Sequence, residues 1–167
     1  EATLQLKFVI ALFTAIKAAP DLAGVSCFID SNGHLGADAW ARLLPVTDGV
    51  MLDIKAFAPA RHQALTGRGN DKSIASARIV QAAGKLYELR YLMVPGMTDH
   101  DDEIAALAGF AQELGGGTRI KLNAYQHHGV TGPARDWPKM PREGVEAAAR
   151  RLRAAGLANV ATPVVYL

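Results

Sequence analysis

A chain of 167 residues with one cysteine, Cys27, has too little thiol for an internal disulfide framework or a cysteine-rich metal site of its own. Set between Ser26 and Phe28 in an apolar run, that cysteine reads as a small buried hydrophobe. Charge of one sign is scarce as well. Eighteen basic residues against sixteen acidic ones leave a net charge of +2, and no basic stripe interleaved with aromatics appears, so nucleic acid is not an expected partner. The longest apolar stretches are well short of a membrane span, and no cationic leader precedes an apolar run; no membrane partner and a cytoplasmic location are expected. Low-complexity tracts and solenoid-length repeats are absent too. What remains is ordinary globular composition, 50% hydrophobic and 20% charged, enough for a single domain over residues 1–167.

Along the chain, helices and strands alternate. Leu4, Phe8, Leu12 and Ile16 recur at i+4 and predict an amphipathic helix over about 3–19, ended by Pro20 and Gly24. A strand over about 24–30 follows. The Asn32-Gly33 pair would ordinarily signal a hairpin, but Leu35, Ala39 and Leu43 have helical spacing. A second strand is expected over 48–54, then a short helix over 58–65. Asn70 is a good N-cap for a helix whose apolar face includes Ile74, Ala77, Val80 and Ala83. The third strand, about 86–94, ends in the Pro95-Gly96 turn. Thr98 followed by Asp101 resembles a capping box, and Asp102 and Glu103 supply further acid to a helical first turn. That helix buries Ile104, Leu107, Phe110, Ala111 and Leu114. A strand over 119–123 precedes a loop of about fifteen residues that holds His127, His128 and Trp137, long enough to be a lid or binding loop. Pro141 opens the last helix, centred on 145–152, and a final strand is expected over 160–166.

Strand and helix alternating in this way indicate α/β architecture with a parallel sheet, and opening on a helix suggests the later βα units of a larger barrel. Three apolar runs end abruptly in charge: Val25–Asp30, Asp48–Lys55 and Leu89–Asp99. Carboxyl ends of parallel strands carry the chemistry of such folds. Asp30, Asp53 and Lys55 are therefore expected on one rim, able to hold a small zwitterion or a cation. Two aspartates on adjacent strand ends repel unless something positive lies between them; the alternative is that both cap helices or pair with Lys55.

Several segments carry a family resemblance. Glu1 runs into a helix with Leu4-Gln5; Asp30-Ser31-Asn32-Gly33, Met51-Leu52-Asp53-Ile54-Lys55 and His62 to Gly67 follow; then come Asn70, Arg90 to Gly96, and Tyr125 at a strand end. In this order and spacing they resemble the glycyl-radical-enzyme activating enzymes, the pyruvate formate-lyase activating enzyme type of the radical S-adenosylmethionine superfamily. The resemblance implies a parallel-stranded partial (β/α) barrel, TIM-barrel-like, of which this chain is the C-terminal portion. It implies a [4Fe-4S] cluster on a C-x3-C-x2-C loop that would lie upstream; no iron–sulfur ligand is present in this chain, and Cys27 cannot replace the motif. It further implies S-adenosyl-L-methionine as cofactor, a glycyl radical enzyme similar to pyruvate formate-lyase as protein substrate, and an electron donor such as flavodoxin. The reaction passes one electron to the cofactor, and the resulting 5′-deoxyadenosyl radical takes a glycine α-hydrogen.

Residue by residue, the resemblance assigns the cofactor to Glu1, Asp30, Asn32, Asp53, Lys55, Arg90 and Gln126. Lys55 would face the carboxylate and Glu1 the amino group. Arg90 would lie near the cofactor or the substrate peptide, with a salt bridge inside the barrel as the alternative. A monovalent cation would take Asp30, the hydroxyl of Ser31, the carbonyl of Met51, and Asp53; many relatives have Thr where this chain has Ser31. Gln126 stands where the family commonly has histidine, so it can donate a hydrogen bond to ribose or adenine but supplies no titrating group. The fragment alone is expected to be inactive. Two other readings stay open: another branch of the superfamily with a different substrate, and a binding module without a cluster.

Overall fold

The computed structural model describes residues 1–166. Five strands, β1 (Phe28–Ser31), β2 (Gly49–Ile54), β3 (Leu86–Met93), β4 (Ile120–Ala124) and β5 (Val160–Ala161), form one sheet in chain order. β1 pairs parallel with β2, Asp30 opposite Met51 and Ser31 opposite Leu52, and β4 pairs parallel with β5. Helices α1 (Leu6–Ala18), α2 (Ala37–Leu43), α3 (Pro59–Thr66), α4 (Asp71–Ala82), α5 (Asp101–Glu113) and α6 (Arg142–Ala154) alternate with them. Each of the first four strands sets apolar residues among polar ones and is followed by helix before the next strand, with both α3 and α4 between β2 and β3. This is the parallel α/β plan that the sequence predicts.

By packing, the chain divides into two compact units, Glu1–Asp53 with Asp71–Leu89, and Ile54–Asn70 with the residues from Arg90 on. In the first, Ile29, Val50 and Leu52 are buried while Asp30, Met51 and Asp53 alternate with them toward the accessible side. α2 packs on α4 there, with Trp40 and Leu43 fully enclosed. In the second unit Tyr91, Met93, Ile120 and Leu122 are fully buried, and Arg90, Leu92, Lys121 and Asn123 alternate with them half-buried. Period-two burial of this kind gives each strand one apolar face and one polar face.

Several expectations need correction. The i+4 stripe of the first helix does not face the core: Leu4 is 81% exposed, Phe8 66% and Leu12 43%. Residues 2–5 form a tighter 3-10 turn, which resets the phase of the helix, so Val9 is the residue that α1 buries. Thr98 does not cap α5. That helix starts at Asp101 behind His100; the Thr98 hydroxyl instead donates to Leu92 O at 2.6 Å and accepts from Val94 N at 2.7 Å, tying off the end of β3. Asn70 directly precedes α4 as expected, and its side-chain N–H groups in addition donate to Ala56 O and Phe57 O. β1 begins at Phe28, so Cys27, 3% exposed, lies just ahead of the strand. β5 is limited to Val160–Ala161, and residues 162–166 are irregular.

Candidate functional site

In the first unit, the segment after β1 is organised around Glu1. Its carboxylate accepts from Asn32 N at 2.8 Å, from the Ser31 hydroxyl at 3.1 Å, and from the Thr3 main chain and hydroxyl. Partial burial pushes the Glu1 carboxyl up, but the bonds from Asn32, Thr3 and Ser31 outweigh that and hold it below its ordinary value. The first residue is thus fixed against the β1 end. Ser31 also accepts from Gly33 N at 3.1 Å, so its hydroxyl is engaged on the buried side of the strand, whereas Asp30 projects on the exposed side. Asn32 closes a local turn by accepting from His34 N at 2.9 Å.

The carbonyls of this turn are held by α4. The Ser73 hydroxyl donates to Asn32 O at 2.7 Å and the Ser76 hydroxyl to Gly33 O at 2.6 Å, while the Trp40 indole donates to the Ser76 oxygen at 2.7 Å. Gly33 sits at φ +72° with the backbone of Ser73 only 3.0 Å from where a Cβ would stand, so the turn rests directly on the helix. Ser73 and Ser76, both buried, were not legible as turn holders: in sequence they are the polar gaps between Ile74, Ala77 and Val80.

In the second unit, the chain leaves β2 through Lys55, half-buried between the fully buried Ile54 and Ala56. The Glu103 carboxylate, from the first turn of α5 and only 1% exposed, accepts from Phe57 N and Ala58 N, each at 2.7 Å. It also takes Arg61 at 3.2 Å and the Tyr91 hydroxyl at 2.8 Å. Four donors satisfy one buried charge, which is what makes its burial tolerable. Burial and the bond to Glu103 push the Tyr91 phenol far above its ordinary range, so it stays a donor. Arg61 bridges to Asp102 at 2.6 Å, which holds that carboxyl below its ordinary value. Glu103 reads in sequence as one more first-turn acid; only the fold turns it inward.

Arg90 is half-buried between Leu89 and Tyr91 on β3. Gln126 follows β4, with Nε2 3.4 Å from Met140 O and a buried Oε1 that has no hydrogen-bond partner among the described residues. The amide therefore presents an acceptor where the sequence suggested a donor. The long loop is anchored by Tyr125, whose hydroxyl donates to Ala134 O, and by His127, whose Nε2 lies 2.7 Å from Trp137 O. The structure brings Glu1, Ser31 and Asn32 into direct contact, sets Asp30 and Met51 side by side in the ladder, and puts Asp53 two residues on from Met51. Among the described residues no group of three or more His, Cys, Asp or Glu side chains could hold a metal ion. No described helix is long and apolar enough to cross a membrane.

No family model matches the chain. A pyruvate formate-lyase-activating enzyme from Streptococcus mutans is 33% identical over 135 residues, 77% of this chain and 50% of that protein. Among solved structures, a domain of a pyruvate-formate lyase-activating enzyme from Bacteroides vulgatus superposes with a TM-score of 0.80 over 98% of this chain and 94% of that one, at 17% identity. A radical S-adenosylmethionine methyltransferase from Sphaerobacter thermophilus gives a TM-score of 0.70 over 90% of this chain and 44% of its own, also at 17% identity. The two structural likenesses bear out the expected fold, that of the radical S-adenosylmethionine partial barrel. The chain spans about half the length of the curated relatives it matches.

Proposed function

Since the chain is a relative of the pyruvate formate-lyase-activating enzymes, 33% identical to one of them over 77% of its own length, we propose that it is the cofactor-positioning part of a radical S-adenosylmethionine activase. The intact protein would install a glycyl radical on a partner enzyme similar to pyruvate formate-lyase. Sequence identity sustained over 135 residues is the observation that carries the reading.

Within each unit by itself, the proposed donors match chemical groups of S-adenosylmethionine. Lys55 offers a fixed cation for its carboxylate, and Arg90 a second for the cofactor or the substrate peptide. Glu1 and Asn32 belong to a turn whose backbone is pinned by Ser73 and Ser76; Glu1 would attract the amino group. The buried acceptor of Gln126 fits a ribose hydroxyl or adenine amino donor. Asp30, Asp53 and the Met51 carbonyl form the proposed set for a monovalent cation, hard oxygens for a hard ion. The expected Ser31 ligand drops out, because its hydroxyl is engaged with Glu1 and Gly33 on the opposite side of β1 from Asp30. When bound, the cofactor supplies the 5′-deoxyadenosyl radical; these residues supply binding, orientation and exclusion of water.

The residues do not suit a [4Fe-4S] cluster. The single thiol, Cys27, is 3% exposed and no second cysteine exists in the sequence. The cluster's ligands, and the electron donor that would reduce it, are therefore assigned outside this chain. Calorimetric titration with S-adenosylmethionine tests the reading: the chain should bind, and Lys55→Ala should weaken binding about tenfold, the loss expected when a charge-assisted bond disappears. Failure of the unaltered chain to bind would remove the cofactor site from it.

A further inference from the structure

We propose that Glu103 is a positioning residue that, with Asn70 and Tyr91, sets the placement of Lys55; the inference rests on Lys55 facing the cofactor carboxylate. Lys55 lies past the end of β2 and before the start of α3 at Pro59, and the helix takes hold of this linker at Ala58, whose carbonyl accepts from His62 N at 3.0 Å. Side chains grip the residues ahead of it. Glu103 takes the N–H groups of Phe57 and Ala58 with its two oxygens, and the Asn70 amide donates to Ala56 O at 3.2 Å and Phe57 O at 2.7 Å. Both clamping residues are buried, Glu103 at 1% and Asn70 at 5% exposure. The segment is thus gripped through its donors from one partner and through its acceptors from the other.

The same carboxylate reaches the neighbour of Arg90. The Tyr91 hydroxyl lies 2.8 Å from Glu103 Oε2, and its ring stacks on Phe57 with centroids 5.9 Å apart. Phe57 also meets Phe110 of α5 edge-on at 5.5 Å. One carboxylate therefore ties the loop that presents Lys55 to the strand that presents Arg90. A bidentate acceptor aimed at two successive N–H groups leaves little rotational freedom, and outer partners of this kind orient the groups that touch a ligand. If Glu103 merely stabilised α5, its removal would lower stability and leave ligand affinity independent of Lys55.

Glu103→Gln separates the two roles. It keeps the volume but turns one amide N–H toward a backbone donor. Affinity for S-adenosylmethionine is measured calorimetrically in the unaltered chain, Glu103→Gln, Lys55→Ala and the double variant. Coupling predicts that Glu103→Gln weakens binding about tenfold in the Lys55 background and by less than about twofold once Lys55 is gone. Tyr91→Phe, which deletes one donor and retains the ring stack, carries the same comparison at smaller amplitude should Glu103→Gln fail to fold. Unchanged affinity, or an equal loss with and without Lys55, overturns the proposal. Amide exchange at Phe57 and Ala58 is read in parallel. If the unaltered chain binds no cofactor, the functional reading falls. The clamp is then judged by exchange alone: faster at 57 and 58 in Glu103→Gln supports it, and no change overturns it.

Discussion

Glu1 is held by Asn32, Ser31 and Thr3, and its carboxyl lies below its ordinary value despite partial burial. The sign of the pH effect follows. A carboxylate whose folded pKa is depressed contributes stability above its ordinary value, and that contribution disappears as pH falls through the lowered folded value. Glu1→Gln should therefore lower the urea midpoint at neutral pH and converge on the unaltered chain in acid. An equal deficit at both pH values would mean that shape, not charge, holds the turn after β1. Gly33, beside it, shows why one residue type is required: at φ +72°, with the Ser73 backbone 3.0 Å from a Cβ, the turn can seat on α4 only without a side chain.

Elements show where periodicity and packing part company. α1 reads as amphipathic on either of two stripes, because apolar residues occupy most of its circumference. Leu4, Phe8 and Leu12 form the more regular stripe, yet the structure buries Val9, 7% exposed, and leaves Phe8 66% exposed. Val9→Ala should thus cost about 1–3 kcal/mol of unfolding free energy by loss of buried volume. Phe8→Gln should change it by less than about 0.5 kcal/mol, as surface substitutions generally do. Urea unfolding of both variants checks the pair, and a reversed order would return the core to the Leu4 stripe. In α4 the same lesson runs the other way: serines sit on the buried face because the turn after β1 needs donors there.

For the molecule as a whole, one buried thiol bears on what the chain can do alone. Cys27 is 3% exposed, and its main-chain N–H is tied to Asp48 at 2.6 Å, with Asp48 also bridged to Lys17 at 2.6 Å. The folded chain should resist a bulky disulfide reagent and react at a rate set by unfolding, giving one equivalent of thiol only in denaturant. Rapid stoichiometric labelling under native conditions would mean that the segment ahead of β1 opens freely.

The order of strands and helices, the carboxyl-end charges Asp30, Asp53 and Lys55, and the lack of a cysteine triplet were all determined by sequence. Apolar runs bounded by glycine, proline and charge specify a parallel α/β chain almost regardless of detail, and ligand chemistry depends on residue types that are simply present or missing. Which acid turns inward was decided only by the tertiary structure. Asp101, Asp102 and Glu103 are three consecutive acids at a helix start, interchangeable on any local criterion, yet only Glu103 meets Phe57, Ala58 and Tyr91 from distant parts of the chain. The same holds for Thr98, Ser73 and Ser76. Each has a local capping or surface reading, and each is instead committed to a backbone group elsewhere, because buried main-chain donors and acceptors must be satisfied where the fold leaves them.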